Sequence, residues 1–219
     1  MKKLLSLILL LSFTIKAQDV TIGTQVWTAK NLDVTKYRNG DSITHVEDRD
    51  EWVSLTTGAW CYYANNTANG IIYGKLYNWF AVHDSRGLAP KGYHIPTDEE
   101  WTILTDYLGG EELAGAEMKS TSGWETNGNN RSGFSGLPGG YRHWSTIFGY
   151  IVKHSYWWSS SQAFWPSMCS SNGQAIEGGS ISGARIFCSW FRYIDNRSGK
   201  IHKFADNQKS GYSVRCIKD

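Results

Sequence analysis

The segment GYHIPTDEEWTILTDYLGG, residues 92–110, decides how this chain is interpreted, because it clusters three acidic residues directly before a tryptophan. Thr97 and Glu100 have the spacing of a capping box. In that motif the threonine hydroxyl accepts from the glutamate amide, and the glutamate carboxylate accepts from the threonine amide. Asp98 and Glu99 then fall in the first turn, where negative charge is favourable beside the helix dipole. The sequence therefore predicts a helix start rather than a catalytic or metal-binding carboxylate cluster.

Helical periodicity continues after this start and recurs nearby. Gly109 and Gly110 are expected to end the first helix, and the segment EELAGAEMKS, residues 111–120, predicts a second short helix. A third is predicted from about Gly74 to Val82, where apolar residues follow near-helical spacing. The buried face of the first helix is predicted from residues spaced three and four apart: Trp101, Leu104, Thr105 and Leu108.

The remaining segments predict strands and turns. Residues 20–32 alternate around Gly23 as in a hairpin, and Asn39-Gly40 is a tight-turn signal. The acidic segment VEDRDEW, residues 46–52, predicts a solvated loop; it lacks the EF-hand spacing that calcium would favour. Three later segments predict strands: residues 156–162, 181–194 and 211–219.

The first 17 residues have the layout of a secretory signal peptide. Two lysines precede an apolar run that is too short to cross a membrane, and the small residue Ala17 precedes the expected cut before Gln18. No cysteine lies near the cut to carry a lipid, so we expect a secreted or cell-surface protein. Its single domain would comprise residues 18–219, with no transmembrane segment.

Charge and cysteine usage limit the function classes. Cleavage would remove three lysines and lower the formal net charge from +2 to −1, which leaves no basic footprint for nucleic acid. Four cysteines in an exported chain predict two disulfides, with three pairings open. The sequence contains no CxxC pair, which is the spacing typical of zinc sites and of thioredoxin-like proteins. The four are Cys61, Cys169, Cys188 and Cys216.

No residue pattern nominates a catalytic centre. The six histidines lie far apart without an HExxH motif, and Ser135 in GFSGL lacks the second glycine of a nucleophile elbow. No phosphate-binding loop is present. We therefore predict a protein that is not an enzyme, with no cofactor and no metal.

Six segments, in order along the chain, resemble the Fibrobacter succinogenes major paralogous domain family. They are IGTQVWTAKNLDV, YGKLYNWFAV, GLAPKGYHIPTDEEWTILTDYLGG, GFSGLPGGYR, YWWSSS and GYSVRCIKD. That family looks related to the formylglycine-generating-enzyme and C-type-lectin-like fold. The resemblance implies an α+β domain, with two or three short helices on small antiparallel sheets and long ordered loops. By the same analogy Cys61 would pair with Cys216, and Cys169 with Cys188.

The resemblance implies an exported, non-catalytic binding module for glycan (polysaccharide) or a surface protein. Its aromatic-rich loops, with 11 tryptophans and 12 tyrosines in the chain, would offer rings to stack on sugars, with Asn172 as a further polar partner. The simpler alternative is that these rings fill the core; strand alternation predicts that Trp157 and Trp158 point to opposite sides, one toward solvent. The candidate binding residues are Tyr141, Arg142, Trp144, Trp158, Gln162 and Trp165.

Two further functions stay open at this point. One is a structural component of a cell-surface assembly, which would use the same exposed aromatic residues. The other is an oxidase of the formylglycine-generating type, which is disfavoured because its copper chemistry needs two cysteines close in sequence and Cys188 has no near neighbour. The calcium signature of sugar-binding lectins is absent.

Overall fold

The computed structural model describes residues 19–126, 128–145, 147–163 and 188–219. The expected signal peptide, residues 1–17, lies outside them. The helices are α1 (Arg49–Ser54), α2 (Thr67–Tyr73), α3 (Trp79–Val82), α4 (Asp98–Tyr107) and α5 (Glu111–Met118). The strands are β1 (Asp19–Ile22), β2 (Gln25–Thr28), β3 (Thr44–His45), β4 (Ala59–Cys61), β5 (Leu76–Tyr77), β6 (Tyr93–His94), β7 (Gly139–Arg142), β8 (Phe148–Ile151), β9 (His154–Ala163), β10 (Cys188–Asp195), β11 (Ile201–Asn207) and β12 (Ile217–Lys218).

The strands form three sheets, so the predicted α+β class is confirmed. A terminal sheet has the order β1-β2-β12-β6, which places the last strand of the chain against the second. The large sheet has the order β11-β10-β9-β7-β8 and is antiparallel except where β7 meets β9. A small sheet has the order β3-β4-β5. The predicted hairpin around Gly23 is confirmed as the β1–β2 pair.

Both faces of the large sheet are covered near the middle of β9. Trp157 packs with Trp101 and Phe134 on the side of α4, while Trp158 packs with Tyr212 on the opposite side. Both indoles are fully buried. The expectation that one of the two rings points to solvent is therefore wrong, because loops cover the second face where alternation alone would expose it.

The predicted helix start at Thr97 is confirmed. Its hydroxyl accepts from the Glu100 amide at 3.2 Å, and the Glu100 carboxylate accepts from the Thr97 amide at 2.8 Å. Asp98 also forms two ion pairs: its carboxylate lies 2.7 Å from Arg192 on β10 and 2.6 Å from Lys203 on β11. The acidic cluster thus starts α4 and also fixes it to the large sheet.

Two helix assignments differ from the sequence prediction. The predicted helix over 74–82 is a helix only at α3; Gly74, with φ at +76°, ends the unpredicted helix α2, and Tyr77 then pairs with Trp60 and Tyr212. The acidic segment 46–52 is not all loop, because Asp48 caps α1 by accepting from the Glu51 amide at 2.8 Å.

The C-terminal segment is mostly irregular backbone, although a strand was predicted over 211–219. Only β12 pairs in a regular ladder. Arg215 explains the irregularity, because its buried guanidinium donates to the carbonyls of Thr28 at 2.6 Å and Phe134 at 2.8 Å. It also donates to the side chain of Asn31 at 2.7 Å. Burial lowers the pKa of Arg215 to about 9, so the group still carries its charge at neutral pH.

The expected Cys61–Cys216 bridge is wrong. Both residues are free, fully buried thiols, and they belong to different hydrophobic clusters. Cys61 lies on β4 beside Leu76, whereas Cys216 follows Arg215 and donates its amide to Thr28. The other expected bridge joins Cys188 to Cys169, and Cys169 lies outside the described residues.

None of the helices within the described ranges has the length and apolarity that a membrane crossing requires.

Replacing Thr97 by alanine is expected to lower the free energy of unfolding by about 1 kcal/mol, because the Glu100 amide loses its partner. Chemical denaturation measures the change. Thr97→Ser is the matched control, since serine supplies the same hydroxyl. Equal losses in the two variants would contradict the capping assignment.

Cys61 and Cys216 are expected to resist alkylation in the folded protein and to react after denaturation without reductant. Burial raises the pKa of the Cys61 thiol to about 11 and that of Cys216 to about 12, so neither is a thiolate at neutral pH. Peptide mapping after maleimide labelling identifies the modified residues. Failure of either to label in denaturant would show that it is bridged.

An aromatic face on the large sheet as candidate functional site

Five half-exposed rings form a continuous row across the large sheet, which we call the aromatic face. Neighbouring centroids are 5.9, 4.4, 5.8 and 4.4 Å apart, and the ring planes differ by 8–24°. One strand contributes each ring, from β7 and β8 through β9 and β10 to β11. The rings belong, in that order, to Tyr141, Tyr150, His154, Tyr193 and His202.

Strand alternation places these rings on one side. On β10, Tyr193 joins the aromatic face while Ile194 points into the cluster around Trp101. On β11, His202 joins the face while Lys203 reaches Asp98 on the opposite side. Because the register sets Tyr193 directly against His202, their rings meet as a cross-strand pair.

Buried aromatic rings flank the face on the same side of the sheet. Tyr156, which is 9 % exposed, lies 4.9 Å from Tyr141 and 5.5 Å from Tyr193 between ring centroids. Tyr212 packs on Tyr156 at 5.3 Å, and its hydroxyl donates to Asp206 at 2.5 Å. Close packing beside the row restricts the rotamers of Tyr141 and Tyr193, which reduces the entropy that ligand binding must overcome.

Three rings of the face are uncharged at neutral pH. Burial lowers the pKa of His154, and burial raises the pKa values of Tyr141 and Tyr193. The charge lies at the rim, where Asp195 Oδ2 is 3.4 Å from His202 Nε2. Burial alone would raise the pKa of Asp195, but hydrogen bonds from the amides of Arg197 and Ser198 outweigh it, so its pKa is lowered.

The backbone is strained where Tyr150 joins the row. Tyr150 has φ of +59° and Val152 has φ of +60°, a region that residues other than glycine rarely adopt and that is unusual for a β-branched side chain. The Tyr150 ring is 51 % exposed, yet it stacks on His154. Strain of this kind accumulates where the position of a side chain matters for function.

The sequence-predicted binding residues do not all meet at this face. Tyr141 belongs to it, and Trp144 joins its edge through His143, with centroids 5.2 Å apart. Gln162 lies at the far end of β9, directly opposite Ser189 on β10. Trp165 and Asn172 lie outside the described residues.

Two of the predicted binding residues are buried. Trp158 is a core residue, and Arg142 is 1 % exposed, with its guanidinium donating to the carbonyls of Val46 at 2.8 Å and Asp48 at 3.0 Å. Neither side chain can contact a ligand at the surface, so both are absent from our candidate site.

Sequence reasoning missed Tyr150, His154, Tyr193 and His202. Their signal was present as aromatic residues at every second position in FGY, HSYWW, FRYID and IHKF. Alternation identifies the members of one face, but not which strands lie side by side.

A histidine also meets two carboxylates at the start of α4. His94 Nε2 lies 2.8 Å from Glu100 and Nδ1 lies 2.8 Å from Asp219. Glu100 is already committed to the capping box, so this cluster joins the C-terminus to the helix start. Across the described residues, no group of three or more histidine, cysteine or acidic side chains is arranged to hold a metal ion.

The comparisons with known proteins give one match. The profile of the Fibrobacter succinogenes major domain matches residues 20–218. The searches of curated proteins and of solved structures returned no match.

The stabilising effect of His94 is expected to fade as pH rises. Burial opposes its charge, but hydrogen bonds to Asp219 and Glu100 outweigh burial and raise its pKa. Its contribution is therefore complete below the unfolded-state pKa of about 6.5 and lost as pH passes the higher folded-state value. The measurement is the difference in unfolding free energy between the unmodified protein and His94→Gln at about pH 5.5 and about pH 8.5. A difference that grows with pH would contradict the assignment.

Proposed function

This chain belongs to the Fibrobacter succinogenes major domain family, and we propose that it is an exported, non-catalytic module that binds glycan through the aromatic face. The observation that carries the proposal is the row of five stacked, half-exposed rings across one sheet. The expected export, with a secreted or cell-surface destination, remains part of the proposal.

The chemistry of the face suits a sugar ligand. The C–H-bearing side of a pyranose ring is apolar, and it can pack on the apolar ring surface that the row leaves exposed. Because Tyr141, His154 and Tyr193 are uncharged at neutral pH, the ligand need not bring a counter-charge. Asp195 Oδ2, which lies 3.4 Å from His202, is a carboxylate oxygen at the rim that can accept from a sugar hydroxyl.

The length of the row suits a chain of sugars rather than a single unit. Each of the five strands of the large sheet contributes one ring to the row. Tyr141 and Tyr193 lie 4.9 and 5.5 Å from Tyr156 between ring centroids, and Tyr193 lies 4.4 Å from His202, so the row extends over about 15 Å at most. We infer an oligosaccharide laid across the strands.

We propose, as a finer point, that the fold is related to the formylglycine-generating-enzyme and C-type-lectin-like group. The pairing of β12 with β2 supports this relation, because it brings the two ends of the domain together as a lectin-like loop requires. Two helices, α4 and α5, pack against strands of the large sheet, which also agrees with that layout.

The buried thiols favour binding over an oxidase. Copper and oxygen chemistry of the formylglycine-generating type needs reactive thiolates, whereas burial raises the pKa values of Cys61 and Cys216. These two residues also belong to separate clusters. The raised pKa values and the separation of Cys61 from Cys216 both argue against a reactive centre formed by these two cysteines.

Tyr150→Ala and His202→Ala are expected to weaken oligosaccharide binding at least tenfold without loss of folding, because each removes a ring from the row. A glycan array with the chain lacking residues 1–17 identifies the ligand, and calorimetry then measures the affinities. Tyr107→Ala is the matched control, since Tyr107 is 65 % exposed on α4, away from the row.

An array without binding would overturn the glycan proposal. Recovery of a cell-surface protein that loses affinity with the same two variants would instead assign the face to a structural assembly. Binding that Tyr107→Ala weakens as much as Tyr150→Ala would show that the ligand lies elsewhere.

A further inference from the structure

A second concave site, separate from the aromatic face, lies between α5 and the turn that joins β10 to β11. Its volume is about 420 Å³, within the usual range for small-molecule sites. Backbone and polar side chains form most of its wall, and we call it the α5 cavity. Its polar lining residues are Lys119, Thr126, Asn129, Asn196, Arg197 and Ser198.

Lys119 supplies a buried cation to this cavity. It is 5 % exposed, and its ammonium donates to the Ser198 carbonyl at 2.8 Å. An ammonium has three N–H donors, and that is its one hydrogen bond to the described residues. The Trp124 ring lies 5.2 Å away and shields one side. A buried cation with two unused donors requires an acceptor, which the cavity can supply when a ligand fills it.

The acidic side chains around the cavity already have ion-pair or hydrogen-bond partners. Glu117 lies 3.6 Å from Arg131, and Glu125 lies 3.8 Å from Lys153. Asp195, whose charge acts on Lys119, accepts from the amides of Arg197 and Ser198. Within the described ranges Lys119 and the exposed Arg197 have no carboxylate in ion-pair contact, so the cavity carries an excess of positive charge.

Asn196 gives the cavity an unsatisfied acceptor. Its Oδ1 is buried and has no hydrogen-bond partner within the described residues, while its Nδ2 donates to Glu125. Thr126 fixes the same residue from the other side by donating to its carbonyl at 2.6 Å. This oxygen has almost no accessible surface, so the Asn196 side chain must turn toward the cavity before a hydroxyl donor of a bound molecule can satisfy it.

We propose that the α5 cavity binds a monosaccharide-sized ligand that carries one carboxylate and several hydroxyls, as a uronic acid does. The carboxylate meets the ammonium of Lys119, with Arg197 at the entrance, and a ligand hydroxyl donates to Asn196 Oδ1 after that side chain has turned toward the cavity. A neutral sugar leaves the cation unpaired, and a simple anion leaves Asn196 without its donor. Both charge and hydroxyls are therefore needed.

The test is a calorimetric titration of the chain lacking residues 1–17 with glucuronate and galacturonate. Glucose and galactose serve as neutral counterparts, and acetate serves as the bare carboxylate. We expect saturable binding of at least one uronate and at least tenfold weaker binding of its neutral counterpart and of acetate.

Two variants locate the site. Lys119→Met keeps the length of the side chain without its charge and is expected to weaken uronate binding at least tenfold. Arg197→Ala lies on the exposed turn, leaves the core intact and is expected to weaken binding severalfold. Lys200→Met is the matched control, because Lys200 lies on the same turn but pairs with Glu112 at 2.6 Å.

The proposal is overturned if no uronate binds, if glucose or acetate binds equally well, or if Arg197→Ala and a folded Lys119→Met bind normally. Tyr150→Ala separates the two sites: it weakens oligosaccharide binding at the aromatic face and leaves uronate binding at the α5 cavity unchanged. Failure at one site therefore does not decide the other.

Discussion

Buried guanidinium groups that donate to backbone carbonyls hold the irregular parts of this fold in place. Arg142 and Arg215 are each 1 % exposed, and within the described chain neither pairs with a carboxylate. Burying an unpaired cation costs several kcal/mol, and charge-assisted hydrogen bonds of about 1.5–3 kcal/mol each offset that cost. Arg142 fixes the segment before α1, and Arg215 joins β2 to the loop around Phe134. Each guanidinium thus supplies hydrogen bonds to backbone carbonyls in loops, where no neighbouring strand supplies them.

Charged side chains on the opposite side of the large sheet determine which side is available for binding. Because the Arg142 side chain points into the interior, the next residue back on β7, Tyr141, is directed to the aromatic face. On β10 and β11, Arg192 and Lys203 bind Asp98 at the start of α4, which directs Tyr193 and His202 to the opposite side. Successive side chains of β10 and β11 therefore serve two sites: one set binds the start of α4, and the other set forms the aromatic face.

The sequence predicted what local chemistry controls. The capping box at Thr97, the hairpin at Gly23 and helices α4 and α5 each depend on residues a few positions apart, and all are confirmed. The error over residues 74–82 has a non-local cause, since Tyr77 pairs with Tyr212 far along the chain. The Cys61–Cys216 pairing came from resemblance, and packing separates the two thiols. The aromatic face could not be assembled in advance, because strand order is not encoded in alternation.

Asp195 separates the two candidate sites. One carboxylate oxygen accepts from the amides of Arg197 and Ser198, which shapes the turn beside the α5 cavity, and the other lies 3.4 Å from His202 on the aromatic face. Its lowered pKa keeps it ionised at neutral pH, so it accepts from both amides as a carboxylate. A stacking surface and a cationic cavity therefore lie on either side of one turn that these hydrogen bonds hold in place. Two ligand chemistries can be served there without a change of fold, because the charge-assisted hydrogen bonds to Asp195 stabilise the turn between the two sites.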